Sequence, residues 1–222
     1  TMMTTSRNKS VISGILLAAG ASRRMGDVNK LALEIDGEVM VRRCATALLG
    51  GGINRLVVVT GHYHDDIAAA LAGLAMADDS VLSIVHNPDH ASGQAASINC
   101  GLAALTNGQF SPPDGVMIAL GDMPFVTAHL IAELCHAHDH TENDFGLENP
   151  DPRNRITVPF FENRRGNPMI WGANFYPALA KLTGDMGGRQ ILDQHGDAVH
   201  PLLWHDDNVH RDCDSLDDLT NI

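Results

Sequence analysis

Up to residue 140 the chain carries four apolar runs: Val11 to Ala19, Leu56 to Thr60, Val81 to Val85 and Gly115 to Leu120. Each is apolar almost throughout instead of alternating, as expected of parallel strands covered on both faces. Segments of helical spacing separate them. Glu38 to Leu49 sets Val41, Cys44, Ala45 and Leu48 on one face and turns Arg42 and Arg43 outward, and Gly50-Gly51-Gly52 stops it. Asp65 to Leu74, about Ala95 to Leu105, and a segment capped by Thr127 and ending near His138 predict three further helices. Leu31 to Ile35 predicts a short extended piece turned by Asp36-Gly37. This alternation predicts an α/β, Rossmann-like fold: a doubly wound, mostly parallel sheet flanked by helices.

The pattern changes after His140. Thr141 to Arg155 is polar, with Pro150, Pro152 and several Asn, and reads as loop. Ile156 to Phe161 and Pro168 to Trp171 predict short strands around Asn163-Arg164-Arg165-Gly166, placed as a hairpin at the edge of the sheet. Asn174 to Leu182 and Gly187 to Gln194 predict short helices, Val199 to Trp204 a late strand, and Ser215 a last cap. Residues 1–10 are polar and read as a disordered leader. Residues 11–222 read as one domain, in which 141–222 extends the alternating half 11–140.

Composition narrows the classes. The 222 residues are 44% hydrophobic and 19% charged, enough for a core and too apolar for a disordered chain. Fifteen basic against 27 acidic residues give a net charge of -12. That argues against a nucleic-acid binder, and a polyanionic substrate would be repelled unless local cations offset the field. No apolar run approaches membrane-spanning length. Cys44, Cys100, Cys135 and Cys213 are scattered without a C-x-x-C, which suits reduced thiols in a cytoplasmic protein.

Against that acidic background, Arg23, Arg24 and Lys30 cluster after the first strand, where it breaks at Gly20. A strand opening into a Gly-containing loop turns backbone N–H groups toward an anion, so the stretch reads as a triphosphate cradle or a solvated turn. It is neither G-x-G-x-x-G nor G-x-x-x-x-G-K-[ST]. Asp122 follows a buried strand in Gly-Asp-Met-Pro, where a metal or ribose ligand sits in such folds, or a turn aspartate. Cys135 to His140 sets histidines one turn apart. It reads as a frayed, solvated helix end ahead of a Zn²⁺ site, because His is favourable near a helix C-terminus. His62 and His64 are loop residues with no clear ligand geometry. There is no G-x-S-x-G elbow and no activated Cys, so nothing points to covalent catalysis.

Leu17-Ala18-Ala19-Gly20-Ala21-Ser22-Arg23-Arg24-Met25-Gly26 with Lys30 resembles the L-A-x-G-x-S-x-R-M-G…K opening of the nucleotidyltransferases that attach a nucleotide to molybdopterin. The cytidylyltransferase branch is the most similar. Later motifs follow in order: Asn87…Gly93…Ser97, Gly-Asp-Met-Pro, Arg165-Gly166-Asn167-Pro168, Gly184-Asp185 with Gly188-Arg189, which resembles the family's G-D-x-G-A-R with Gly188 in place of Ala, and the acidic close around Asp214. The resemblance implies a nucleotidyltransferase-type fold and Mg²⁺-dependent transfer of CMP from CTP to molybdenum cofactor, releasing pyrophosphate. It implies nucleotide binding by Leu17, Ala18, Ala19, Gly20, Ser22, Arg24, Lys30, Asn87, Gly93, Ser97 and Asp122. Of these Arg24, Lys30 and Asp122 would be catalytic, and Asp122 with Asp214 would hold Mg²⁺. Arg165, Gly166, Asn167, Pro168, Asp185 and Arg189 would serve the acceptor. Ala18-Ala19-Gly20 is the cytidylyltransferase form, whereas guanylyltransferase relatives read Ala-Gly-Gly. The added Cβ would crowd a purine. GTP as substrate, a sugar-1-phosphate acceptor, and a non-catalytic cofactor carrier remain alternatives. The implied partners are CTP or GTP, molybdopterin, and a molybdenum hydroxylase or its chaperone.

Overall fold

The structure, a computed structural model, describes residues 9–20, 29–75, 77, 79–107, 110–140 and 151–213. The apolar runs become β1 (Ile12–Ala18), β4 (Arg55–Thr60), β5 (Val81–His86) and β6 (Gly115–Leu120). Between them lie the short ladder β2 (Glu34–Ile35) and β3 (Glu38–Val39), then α1 (Met40–Gly50), α2 (His64–Leu71) and α3 (Gln94–Thr106). Helix α4 (Ala128–Asp139) follows β6. The second half supplies β7 (Ile156–Phe161), β8 (Arg164–Arg165), β9 (Met169–Gly172), α5 (Tyr176–Leu179), α6 (Arg189–Gln194) and β10 (Val199–Leu203).

The main sheet runs β5-β4-β1-β6-β9-β7-β10, with β8 paired to β7. β1 lies parallel between β4 and β6. Its apolar run divides by period two. Leu16 and Ala18 join the cluster under α1, α2 and α4, and Ile15 joins the cluster under α3, α5 and α6. Val57 and Val59 against Leu56 and Val58 on β4 divide the same way. Continuous apolarity therefore marks a strand buried on both faces, and the doubly wound, mostly parallel expectation holds.

Several local expectations are corrected. The strands around the Arg164-Arg165 turn are not an edge hairpin. β9 inserts antiparallel between β6 and β7, and β10 takes the edge by pairing parallel with β7. Ile156, Val158 and Ile170 have no exposed surface, which an edge could not provide. The piece from Leu31 is extended only at Glu34–Ile35. Lys30–Ala32 is a 3-10 turn because the Asn29 side chain accepts from Leu31 N at 3.2 Å. Helix α1 starts at Met40, since Glu38 and Val39 pair with β2. Helix α2 stops at Leu71, before Gly73 at φ +64°. Thr127 does cap α4, accepting from Leu130 N at 3.2 Å. At the amino end, Ser10 N donates to Asp139 Oδ1 at 3.1 Å, so the last residue of the expected leader is tied to α4. The loop expected over 141–150 and the cap expected at Ser215 lie outside the described residues.

The end of α4 is not a solvated, frayed turn. His136 and His140 are exposed and stacked, with ring centroids 4.5 Å apart, but Cys135 and His138 are buried. His138 Nδ1 lies 2.8 Å from Thr157 Oγ1. Arg155, also buried, reaches the last carbonyls of α4 at Ala137 and His138. Burial, then the Arg155 charge, pushes the His138 imidazole down to about 4. The neighbouring Asp139 carboxylate opposes the shift, and His200 adds to it. The folded protein thus holds His138 neutral. Stability is complete above the unfolded value near 6.5 and declines as pH falls from there toward 4. The expected loss is about 3 kcal/mol for this group. Urea denaturation across that range should show the slope, and His138→Asn should flatten it. An equally steep slope in the variant would contradict the assignment.

Candidate active site

β1 sends its chain to β4 on one side, while β6 enters on the other, so the crevice beyond their C-terminal ends is the topological switch point. Ala18 and Ala19 continue β1 into this crevice, buried, and Gly20 is exposed. β6 delivers Gly121 and Asp122 beside them. Gly121 N donates to Leu17 O at 2.9 Å, and a Cβ on Gly121 would stand 2.9 Å from the same oxygen. Glycine thus lets the turn lie flat against the end of β1.

Asp122 is where three parts of the chain meet. Lys30 Nζ lies 2.8 Å from Asp122 Oδ2, with side chains 14% and 24% exposed. At that depth the pair is less screened than a surface ion pair. From α1, Arg43 Nε donates to Pro124 O at 3.0 Å and Cys44 Sγ to Gly121 O at 3.3 Å. From the carboxyl-terminal side, Cys213 N donates to Asp122 O at 2.8 Å, and the Arg211 guanidinium lies 3.9 Å from the Phe125 ring centroid. Burial, then the nearby Asp122 charge, pushes the Cys44 thiol far above its usual range, which makes it packing and not a nucleophile. Asp122 Oδ1 has no hydrogen-bond partner among the described residues. Arg24, Ser22 and Asp214 lie outside the described residues, Asp214 one position beyond Cys213.

Asn87 and Ser97 are both buried and bind each other, Asn87 Nδ2 donating to Ser97 Oγ at 3.1 Å. Asn87 N also donates to Thr60 O at 2.8 Å, fixing the exit of β5 on β4. Gly93 has φ +107°, and a Cβ on it would stand 2.4 Å from the Gly184 carbonyl carbon. Ala95 N donates to Gly184 O at 3.0 Å. The glycine therefore admits the segment Gly184-Asp185 onto the start of α3, and Asp185 sits there by its backbone. Gly61 abuts Ala19 O and the His90 ring. Around it His62, His90, His86 and His64 form a row with successive centroids 6.4, 6.3 and 5.4 Å apart. His62 lies in the turn after β4, as expected, but His64 is the first residue of α2 and not a loop residue; their proximity to His86 and His90 arises only from the β4–β5 pairing. No group of three metal-ligating side chains converges among the described residues.

The second half builds a cavity of about 600 Å³ between α3, β6, β9 and α6. Arg165, Asn167 and Arg189 line it, as do Gln94, Met169 and Trp171, which sequence motifs did not single out. Arg165 pairs with Asp193 at 2.8 Å. Gly166 packs on Val209, and Asn167 N donates to Val209 O at 2.9 Å, before the cis Asn167-Pro168 peptide. Gly166, Pro168 and Asp185 shape this region through the backbone and do not line the cavity. No described helix is long and apolar enough to cross a membrane.

A family model described as MobA-like NTP transferase domain matches residues 14–199. The chain is 29% identical over 209 residues to nicotine blue oxidoreductase of Paenarthrobacter nicotinovorans, covering 94% of each. It is 30% identical over 131 residues to bifunctional protein GlmU of Carboxydothermus hydrogenoformans, where it spans about a quarter (26%) of the relative's length. Among solved structures, Rv0371c from Mycobacterium tuberculosis superposes with TM-score 0.73 at 23% identity, covering 95% of this chain and 96% of that one. A nucleotidyl transferase from Methanothermobacter gives 0.71 at 19% identity, covering 95% of each. These structures share the fold. The chain belongs to the MobA-like NTP transferase family and is a nucleotidyltransferase.

The packing around Asp122 predicts thiol reactivity. Cys44, Cys135 and Cys213 are buried and Cys100 is half-buried. In the native protein Cys100 should react with an aromatic disulfide reagent well ahead of the other three, which should react only at the rate of unfolding. Rapid labelling of Cys44 or Cys213 would show that the floor under Asp122 is open.

Proposed function

We propose that this nucleotidyltransferase transfers CMP from CTP to the terminal phosphate of molybdopterin in the molybdenum cofactor, releasing pyrophosphate. The observation that carries the reading is the half-buried Lys30–Asp122 pair at the switch point, in a chain whose net charge is -12. A cation and a carboxylate held together there suit a triphosphate and its counter-ion. An acceptor phosphate oxygen attacks the α-phosphorus in line, the bond to the bridging oxygen breaks, and pyrophosphate leaves. Phosphoryl chemistry of this kind rests on positioning and charge stabilisation. Lys30, Arg24 and the loop amides from Ala19 to Ser22 stabilise charge on the α-phosphate and the leaving group. Leu17, Ala18 and Gly20 shape that loop, and Asn87, Gly93 and Ser97 line the base and ribose side.

Asp122 Oδ1 and Asp214 are the groups that would hold Mg²⁺, which favours few carboxylates plus substrate oxygens. The Cys213–Asp122 backbone bond, one residue before Asp214, supports that pairing. When bound, the cation neutralises the triphosphate. No general base is required, because a phosphomonoester is already largely anionic near neutral pH, its second pKa being about 6. Ala19, buried where guanylyltransferase relatives carry Gly, favours a pyrimidine. Arg165, Asn167 and Arg189 in the cavity, with Gly166, Pro168 and Asp185 behind them, serve the acceptor.

A second reading is favoured by one observation: the similarity spanning 94% of both chains is to a protein named an oxidoreductase. Oxidation of reduced nicotinamide nucleotides in the presence of a heteroaromatic dye would support it.

Pyrophosphate release should be measured from CTP and GTP with Mg²⁺ and molybdenum cofactor. Release with CTP should exceed that with GTP at least tenfold, and Asp122→Ala should lower it by a thousandfold or more while the protein stays folded. A preference for GTP moves the chain to the guanylyltransferase branch. An unchanged rate in the variant removes Asp122 from the chemistry.

A further inference from the structure

The cavity between α3, β6, β9 and α6 contains polar groups with no task so far. At about 600 Å³ it has the size of a site for a compact organic ligand. Its floor is apolar, built from Ile98, Ile118, Leu120, Met169 and Leu192. Trp171 forms one wall and is only 3% exposed, yet its indole N–H donates to none of the described residues. The other tryptophan behaves normally, Trp204 Nε1 donating to Asn208 Oδ1 at 3.0 Å. Although the residue is buried, its N–H is not an enclosed, unpartnered atom; in a residue that lines the cavity it is a donor open to whatever enters. Gln94, the first residue of α3, lines the same cavity, and its side-chain amide has no partner among the described residues either.

Gly188 explains how the indole reaches this position. A Cβ there would stand 2.3 Å from Trp171 Cζ2 and Cη2, well inside contact. The alanine of the G-D-x-G-A-R pattern would displace the ring. Arginines occupy the rim: Arg165 is already paired with Asp193, whereas Arg164 and Arg189 form no ion pair among the described residues.

We propose that Trp171 and Gln94 are acceptor-recognition residues that select a planar heteroaromatic ring bearing an anionic arm. The ring lies on the apolar floor, a ring nitrogen or carbonyl oxygen accepts from Trp171 Nε1, and the Gln94 amide pairs with a donor–acceptor edge. Arg164 and Arg189 take the anionic arm. A sugar phosphate is disfavoured, because its hydroxyls would be buried on Ile118, Leu120 and Met169 without partners. The inference rests on the reading of this cavity as the acceptor side, and adds which side chains distinguish a heterocycle from a sugar.

The test is calorimetric titration of the full chain with 6-carboxypterin and, separately, glucosamine 1-phosphate, with no nucleotide or metal present. The pterin should bind and the sugar phosphate should not. Trp171→Phe keeps an aromatic wall and removes the N–H, and should weaken pterin binding at least fivefold. Gln94→Met should do the same, and Gly188→Ala should weaken it more than tenfold by pushing the indole into the cavity. Circular dichroism checks that each variant is folded. Pterin affinity indifferent to both Trp171→Phe and Gln94→Met, absence of pterin binding, or equal binding of the sugar phosphate overturns the proposal. Turnover plays no part in this assay. Pterin binding that depends on Trp171 in a protein releasing no pyrophosphate would defeat only the transfer reading, and pyrophosphate release without such binding only this one.

Discussion

The structure depends on one constraint: β1 must pair in parallel on both sides, with β4 and with β6. Parallel pairing demands crossovers, and crossovers put helices on both faces, so β1 can have no polar face. Its residues alternate between two apolar clusters, and Ile15 and Leu16 are fully buried in opposite directions. Because the connections from β1 and into β6 diverge, the strand ends cannot be covered by the same helices. The crevice that remains is the place where the end of β1 and the Gly121-Asp122 turn meet. Gly121 on Leu17 O is the contact that closes the distance.

Charge does the rest. A polyanion approaching a chain of net charge -12 meets long-range repulsion, so attraction has to be local. Lys30 is the cation at the crevice, held by Asp122, while α1 and the carboxyl-terminal segment each brace the same turn. The turn that carries Asp122 is braced on its backbone from two sides, and the carboxylate pairs with Lys30 through Oδ2. The second half packs on the first through a backbone contact that requires glycine, and another glycine makes room for a ring within that half. Gly93 admits Gly184, and Gly188 admits Trp171.

Much of the first half was legible in sequence because its signals are local. Apolar runs gave β1, β4, β5 and β6, and helix spacing gave α1, α3 and α4 to within about two residues. Asp122 and Lys30 were visible as motif residues, though only the fold brings them to 2.8 Å. What was not legible depended on partners distant in the chain. The place of β9 between β6 and β7 is set by pairing, which short apolar strands do not encode. His138 looked like part of a polar helix end, because the Thr157 and Arg155 that bury it arrive from the next element. Trp171 read as an ordinary strand residue, since its open N–H follows from what α6 leaves uncovered. Gly188 looked like a lapse from the family pattern and is the residue that makes room for the ring.

The central claim is that the Asp122 turn at the end of β6 holds the cation that accompanies a nucleotide. The most direct measurement is an anomalous difference map from crystals grown with Mn²⁺ and a non-hydrolysable CTP analogue. The account predicts a peak at coordination distance, about 2.1 Å, from Asp122 Oδ1, with the triphosphate lying along the loop after β1. A nucleotide bound with its cation away from Asp122, or with its phosphates outside the β1–β6 crevice, would contradict it.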